Sequence, residues 1–148
     1  MRALPSHAYL PGRNARPEPA SSGDSPPWDQ YVWGVELYNH GYFWEAHEAW
    51  EALWRSAQAD DAARRAFLKG LIQCSAACLK AVLGDAEACR RLASRGLAQL
   101  AAVPGAADGC YLGLQVARFV AAFRGFAASQ PLDVTRRPLL EIQRADGA

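Results

Sequence analysis

Three residues of one helical segment, His47, Glu51 and Trp54, are the strongest candidates for a functional site. An imidazole and a carboxylate four residues apart lie one turn apart on the same face of a helix, where they can pair or bind one cation. At about 100° per residue, Phe43 and Trp50 lie within about 60° of His47, and this aromatic face is expected to point into the core. The pattern therefore predicts that His47, Glu51 and Trp54 are buried.

The opposite face of the same helix carries Glu45, Ala49 and Arg55 and is expected to face solvent. An inward Glu51 then needs a partner, because a buried and unpaired carboxylate costs several kcal/mol. Two interpretations stay open. In the first, His47 and Glu51 hydrogen-bond each other and a neighbouring helix. In the second, they are two metal ligands, completed by groups from other helices and by water.

Familiar catalytic motifs do not account for these residues. The string HEAWE, from His47 to Glu51, has a carboxylate where the zinc peptidase motif HExxH has its second imidazole. The Glu-x-x-His pairs of di-iron bundles are missing, as are a GxSxG elbow and a GxxxxGK[ST] phosphate loop. The sequence therefore predicts a polar site without predicting a reaction.

Further polar side chains could join this site. Glu36 and Asn39 precede the turn at Gly41 that brings one helix back against the next, and Asn39 shares an apolar stripe. Gln73 belongs to a stripe of small residues, with Gly70 and Ala77, that lets another helix approach closely. For each of these three polar residues, a helix cap or an inter-helix hydrogen bond is the alternative.

The elements that must position these residues are helices separated by clear stop signals. Gly41, Gly84 and the Pro104-Gly105 pair are typical of helix ends, and Asp60-Asp61 and Asp85 of helix starts. No segment shows the strict alternation of a half-buried strand. The predicted helices are Trp28–His40, Tyr42–Ser56, a third from Asp60-Asp61 through Val82, Asp85–Ala102, and a fifth from Asp108 to about Phe126.

Short connections between these segments favour antiparallel neighbours. We therefore predict an all-α protein, a compact up-and-down bundle of about five helices. Residues 1–27 hold six of the nine prolines and are expected to form an extended N-terminal arm. Residues 28–130 form the helical domain and residues 131–148 a C-terminal tail. Tyr9 and Leu10 could lie against the domain or belong to a free arm.

The composition of the chain limits the classes of binding partner and the cellular compartment that are expected. A net charge of +1 gives no reason to expect nucleic acid or an anionic membrane surface as a partner. No apolar stretch reaches the roughly 18 residues of a membrane span, and the first residues lack the apolar run of a signal peptide. The four cysteines form no CxxC pair, so reduced thiols in the cytoplasm are expected, with a metal site on Cys74 and Cys78 as the alternative.

The run YNHGYFWEAHEAWEALW, from Tyr38 to Trp54, resembles the bacterial and archaeal domain of unknown function numbered 309. Its hallmark, His-xxx-Glu-xx-Trp/Tyr, is met by His47, Glu51 and Trp54. The segment Lys69–Gln73 and the Gly84-Asp85 turn are similar to that family as well. The resemblance implies an all-α fold and a metal-binding role for the hallmark residues, and it implies no substrate.

The leading hypothesis is a polar pocket that binds a divalent metal, zinc, manganese or iron, through His47 and Glu51. Trp54, Glu36, Asn39 and Gln73 would line it. The alternative is a non-enzymatic helical module in which the His-Glu pair is structural and the function is to bind a protein partner or a second copy of the chain.

Overall fold

The structure, a computed structural model, describes residues 2–17, 27–107 and 109–143. Five α-helices follow one another, and each packs against the next along the chain. This arrangement confirms the predicted all-α helical bundle. Met1 and residues 18–26 of the predicted arm, Asp108 and residues 144–148 lie outside the described residues. The helices are α1 (Pro27–Asn39), α2 (Phe43–Ser56), α3 (Ala62–Val82), α4 (Ala86–Ala101) and α5 (Val116–Ala128).

The ends of these helices follow from local sequence signals. The Asp61 carboxylate accepts a hydrogen bond from the Arg64 backbone N–H at the start of α3, and Asp85 does the same for Ala88 at the start of α4. After α1 the chain reverses at Gly41, which has φ +88°. Only glycine adopts this left-handed conformation without strain, so the predicted helix stop is confirmed there.

The fifth helix begins later than the sequence predicted. Two short antiparallel strands, β1 (Cys110–Tyr111) and β2 (Leu114–Gln115), precede α5. Leu112 and Gly113 form the turn between them, with φ values of +45° and +81°. Two consecutive residues with positive φ match the right-handed twist of a hairpin and cannot continue a helix. The helix therefore begins only at Val116.

The segment after Pro131 packs onto the bundle. A short 3-10 turn at Val134–Arg136 leads into a stretch that lies along the end of α1. The hydroxyl of Tyr38 donates a hydrogen bond to the Pro138 carbonyl over 2.7 Å, and Leu140 is buried. As far as residue 143, the predicted C-terminal tail is thus part of the folded domain.

The helices α3 and α4 approach closely where Gly70 faces Gly96. A Cβ atom on Gly96 would lie 2.9 Å from the Gly70 carbonyl oxygen and 3.1 Å from the Cys74 sulfur. The small-residue stripe predicted on α3 is therefore confirmed as a helix contact surface, and its partner is α4. None of the helices among the described residues combines the length and the apolar composition needed to cross a membrane.

Two glycine substitutions, one at this contact and one away from it, should have opposite effects on the free energy of unfolding. Gly96→Ala should lower the free energy of unfolding by about 1–3 kcal/mol, because the new methyl group meets backbone that must move. Gly125→Ala on α5 is the control, since nothing lies within 4 Å of its added Cβ. It should raise stability by about 0.5–1 kcal/mol. Urea denaturation measures both values, and equal effects of the two substitutions would contradict the close contact.

The cysteines divide into three buried thiols and the exposed Cys110. Burial raises the pKa of Cys78 to about 12 and also raises the pKa of Cys74 and Cys89. Because the thiolate is the reactive form, these three thiols should be inert in the folded protein.

A disulfide reagent at pH 8 should therefore modify one thiol rapidly and three more only after unfolding in guanidinium. Cys110→Ser should remove the rapid reaction and leave the three thiols that react after unfolding. Rapid modification of two or more thiols in the native wild type would show that the core around α3 is more open in solution than it is in this structure.

Candidate functional site

The orientation of α2 depends on Trp50. This residue is fully buried, and its indole Nε1 donates a hydrogen bond to the Tyr31 carbonyl of α1 over 3.2 Å. The ring occupies the space beside Gly34, where any Cβ would overlap its atoms. Phe43 and Ala46 are buried on the same face. The inward face of α2 is therefore centred on Trp50.

This orientation corrects the predicted burial of the candidate site. His47 lies about 60° and Glu51 about 100° around the helix from Trp50. Their side chains retain 27% and 30% exposure, and Trp54 is half-buried. Arg55 is exposed as predicted, but Ala49 is buried rather than exposed. The three candidates lie at the margin of the core.

His47 and Glu51 are in direct contact. His47 Nε2 lies 3.1 Å from Glu51 Oε2, and Arg55 donates a hydrogen bond to Glu51 Oε1 over 2.9 Å. Both oxygens of the carboxylate therefore have a partner. The three side chains form a continuous polar row along one face of α2.

The imidazole of His47 is held in its neutral form. Burial lowers its pKa and outweighs the opposing effect of Glu51 and Glu48, while Lys69 and Arg55 lower it further. The ring stacks on Trp44 with centroids 5.7 Å apart. With Nε2–H donating to Glu51, Nδ1 carries a lone pair, and this buried atom has no hydrogen-bond partner within the described chain.

Two cations that the sequence analysis missed lie over Trp54. The guanidinium carbon of Arg65 is 4.2 Å from the centre of its ring and Lys69 Nζ is 5.0 Å from it. Arg65 also donates a hydrogen bond to the Trp54 backbone carbonyl over 3.2 Å. Both cations come from α3, so the pattern within α2 gave no signal of them. Lys69 and Arg55 are both close enough to His47 to lower its pKa, so positive charge lies close to the His47–Glu51 pair.

Glu45 was predicted to be exposed, and this prediction is wrong. Its carboxylate accepts a hydrogen bond from the Tyr9 backbone N–H over 2.9 Å and is half-buried. The ring of Tyr9 packs edge-on against Trp44, and Arg16 pairs with Glu48. The part of the N-terminal arm up to residue 17 thus covers the first turns of α2.

Asn39 lies at a different place from the His-Glu pair. Its amide donates a hydrogen bond to the Leu140 carbonyl over 2.9 Å and accepts one from the Leu140 N–H over 2.8 Å. Arg137 donates to the Asn39 backbone carbonyl over 2.8 Å. Asn39 therefore holds the C-terminal segment against α1.

Glu36 and Gln73 are not joined to the pair either. Glu36 is half-buried on α1, and among the described residues its carboxylate makes no hydrogen bond or ion pair with His47 or Glu51. The Cβ of Gln73 lies at the contact with Gly96 of α4. His40 is exposed as predicted, and its ring contacts the Glu36 carbonyl.

The donor set of the site is small. Within residues 2–17, 27–107 and 109–143, no cluster contains three or more His, Cys, Asp or Glu side chains placed to hold a metal ion. His47 and Glu51 would therefore supply two ligands, and the other positions would be filled by water or by a bound molecule.

A comparison with known families gives a match that spans most of α1, all of α2 and α3, and the first part of α4. Residues 31–92 match the family described as Domain of unknown function (DUF309). This match supports membership of the family and confirms the resemblance seen in the sequence. Comparison with curated proteins gives no match.

The position of Asn39 leads to a prediction that separates it from the His-Glu pair. Asn39→Ala should lower the free energy of unfolding by about 1–3 kcal/mol, because it leaves the backbone groups of Leu140 unpaired. Asn14→Ala is a control at an exposed amide. Chemical denaturation in the presence of a chelator measures both, and a loss of less than about 0.5 kcal/mol for Asn39→Ala would contradict the anchoring role.

Proposed function

We propose that His47 and Glu51 bind a divalent metal ion on the half-exposed face of α2, with zinc, manganese and iron(II) as the candidates. The observation that supports this most is the 3.1 Å distance between His47 Nε2 and Glu51 Oε2. Two atoms that bind one ion at about 2.0–2.2 Å lie roughly 3 Å apart at the angles of common coordination geometries. The pair is thus spaced as two ligands of a single ion would be.

The protonation states also suit a metal ligand pair. Burial keeps His47 neutral by lowering its pKa, and neutral imidazole is the form that binds a metal. For Nε2 to bind the ion, the ring proton must move from Nε2, where it bonds Glu51 in the absence of metal, to Nδ1. Both side chains are partly exposed, so an ion and its water ligands can reach them. The positive charges of Arg55 and Lys69 oppose a bare cation and favour one that carries an anionic ligand.

A second candidate function is a helical interaction module in which the pair is structural. One observation favours it: Arg55 already pairs with the second oxygen of Glu51, so the carboxylate has two partners without any metal. In this case the row His47, Glu51 and Arg55 stabilises α2, and a protein partner or a second copy of the chain binds elsewhere. Such i,i+4 pairs contribute about 0.2–0.5 kcal/mol each.

A cytoplasmic location is part of the same proposal. Three buried free thiols are what a reducing compartment preserves. The nearly balanced charge supports the absence of a nucleic acid partner, because binding to phosphates needs a basic surface.

Thermal unfolding of the untagged protein in chelator and in each metal separates the two functions. If the pair binds metal, the melting temperature should rise by roughly 5–10 °C at about 100 times the dissociation constant, because the ion stabilises only the folded state. Glu51→Gln and His47→Ala should each abolish this rise, since each removes a ligand.

Two substitutions on the same part of the chain serve as controls. Glu48→Gln removes a carboxylate that pairs with Arg16, and His40→Ala removes an exposed imidazole. Both should keep the metal-dependent rise. A wild-type protein that melts at one temperature in chelator and in every metal tested would refute metal binding and favour the interaction module.

A further inference from the structure

Residues 2–17 form a folded loop on the surface of the bundle, called the N-terminal loop below. Its ends are closed where His7 Nε2 lies 2.6 Å from the Ala15 carbonyl oxygen. Within it, the side-chain amide of Asn14 donates a hydrogen bond to the Ala8 carbonyl over 2.9 Å. None of the residues of this loop is fully buried. The loop therefore holds its own shape and lies on the helices without belonging to their core.

Tyr9 and Arg16 attach the N-terminal loop to α2. The Tyr9 backbone N–H donates to the Glu45 carboxylate over 2.9 Å, and the Arg16 guanidinium donates to the Glu48 carboxylate. Both side chains also contact the ring of Trp44. The Tyr9 ring meets it edge-on, with centroids 5.2 Å apart, and the guanidinium carbon of Arg16 lies 5.5 Å from its centre. The two attachment residues thus converge on one indole.

The orientation of the Trp44 ring depends on these neighbours. Its buried Nε1 makes no hydrogen bond with any described residue, so no such bond fixes the angle of the ring. The imidazole of His47 stacks on the indole at 5.7 Å, with 24° between the ring planes. The same imidazole places Nε2 3.1 Å from Glu51 Oε2. A continuous row of contacts therefore joins Tyr9 and Arg16 to the His-Glu pair through Trp44.

We propose that the N-terminal loop clamps the Trp44 ring against His47 and so keeps the imidazole turned toward Glu51. Tyr9 and Arg16 are then positioning residues, since they act on His47 only through Trp44. An imidazole already held in one orientation loses less rotational freedom on binding an ion, so it binds that ion more tightly. This consequence rests on the metal-binding function proposed above, whereas the clamp itself does not.

Nuclear Overhauser effects, measured on the full-length protein in chelator, test the clamp. The wild type should show cross-peaks between the Trp44 indole and the ring protons of His47. Tyr9→Ala should reduce their intensity by about half or more, because the indole then samples other rotamers. Tyr9→Phe is the matched control, since it keeps the aromatic ring, and it should retain the full intensity. Unchanged cross-peaks in Tyr9→Ala, or their absence from the wild type, would overturn the proposal.

Calorimetric titration with zinc, manganese(II) and iron(II) salts tests the consequence for metal binding. Tyr9→Ala and Arg16→Ala should each weaken binding by about three- to tenfold, because the imidazole is no longer held in advance. Arg16→Ala is the sharper variant. Loss of a positive charge near a cation site would by itself strengthen binding, so weaker binding indicates positioning rather than charge.

Arg95→Ala, which removes an exposed arginine from α4, is the control for the loss of charge and should leave the affinity unchanged. Affinity that is unchanged or higher in both Tyr9→Ala and Arg16→Ala would overturn the positioning role. A wild type that binds none of the three metals would instead refute the proposed function. The cross-peaks in chelator would still decide whether the clamp exists, because no metal takes part in that measurement.

Discussion

The indole of Trp50 occupies the space that a side chain at position 34 would need, and the packing of α2 on α1 depends on this contact. The absence of a Cβ at Gly34 lets the two helices approach, and the hydrogen bond from Trp50 Nε1 to the Tyr31 carbonyl fixes the angle of the ring. A fully buried tryptophan whose N–H is satisfied has one acceptable orientation, because turning the ring would leave that donor buried without a partner. Rotation of α2 about its axis is thereby restricted.

The partial exposure of the candidate site follows from the restricted rotation of α2. With Trp50 at the centre of the buried face, His47 and Glu51 lie at its edge, where solvent and the cations of α3 can reach them. If α2 were rotated about its axis by about 60° toward the core, the pair would be enclosed. A rotation of similar size in the opposite direction would expose the pair fully. The half-exposed position keeps His47 neutral while leaving Glu51 within reach of Arg55.

The helices could be predicted from sequence because their ends depend on nearby residues. Asp61, Asp85 and Gly41 act within a few positions of their own helix. The site was predicted less well. The aromatic stripe of α2 is wide, so periodicity alone could not decide whether His47 or Trp50 is at its centre. Glu45 and Asn39 bind partners 36 and 101 residues away, and no local pattern encodes such contacts.

The position of Trp50 can be measured most directly by nuclear Overhauser effects in solution. The account predicts a cross-peak between the Trp50 indole N–H and the Hα protons of Gly34, together with slow exchange of that N–H with solvent. Slow exchange is expected because the N–H is buried and bonded to the Tyr31 carbonyl. An indole N–H that exchanges rapidly and shows no cross-peak to Gly34 would contradict the orientation of α2, and with it the placement of His47 and Glu51.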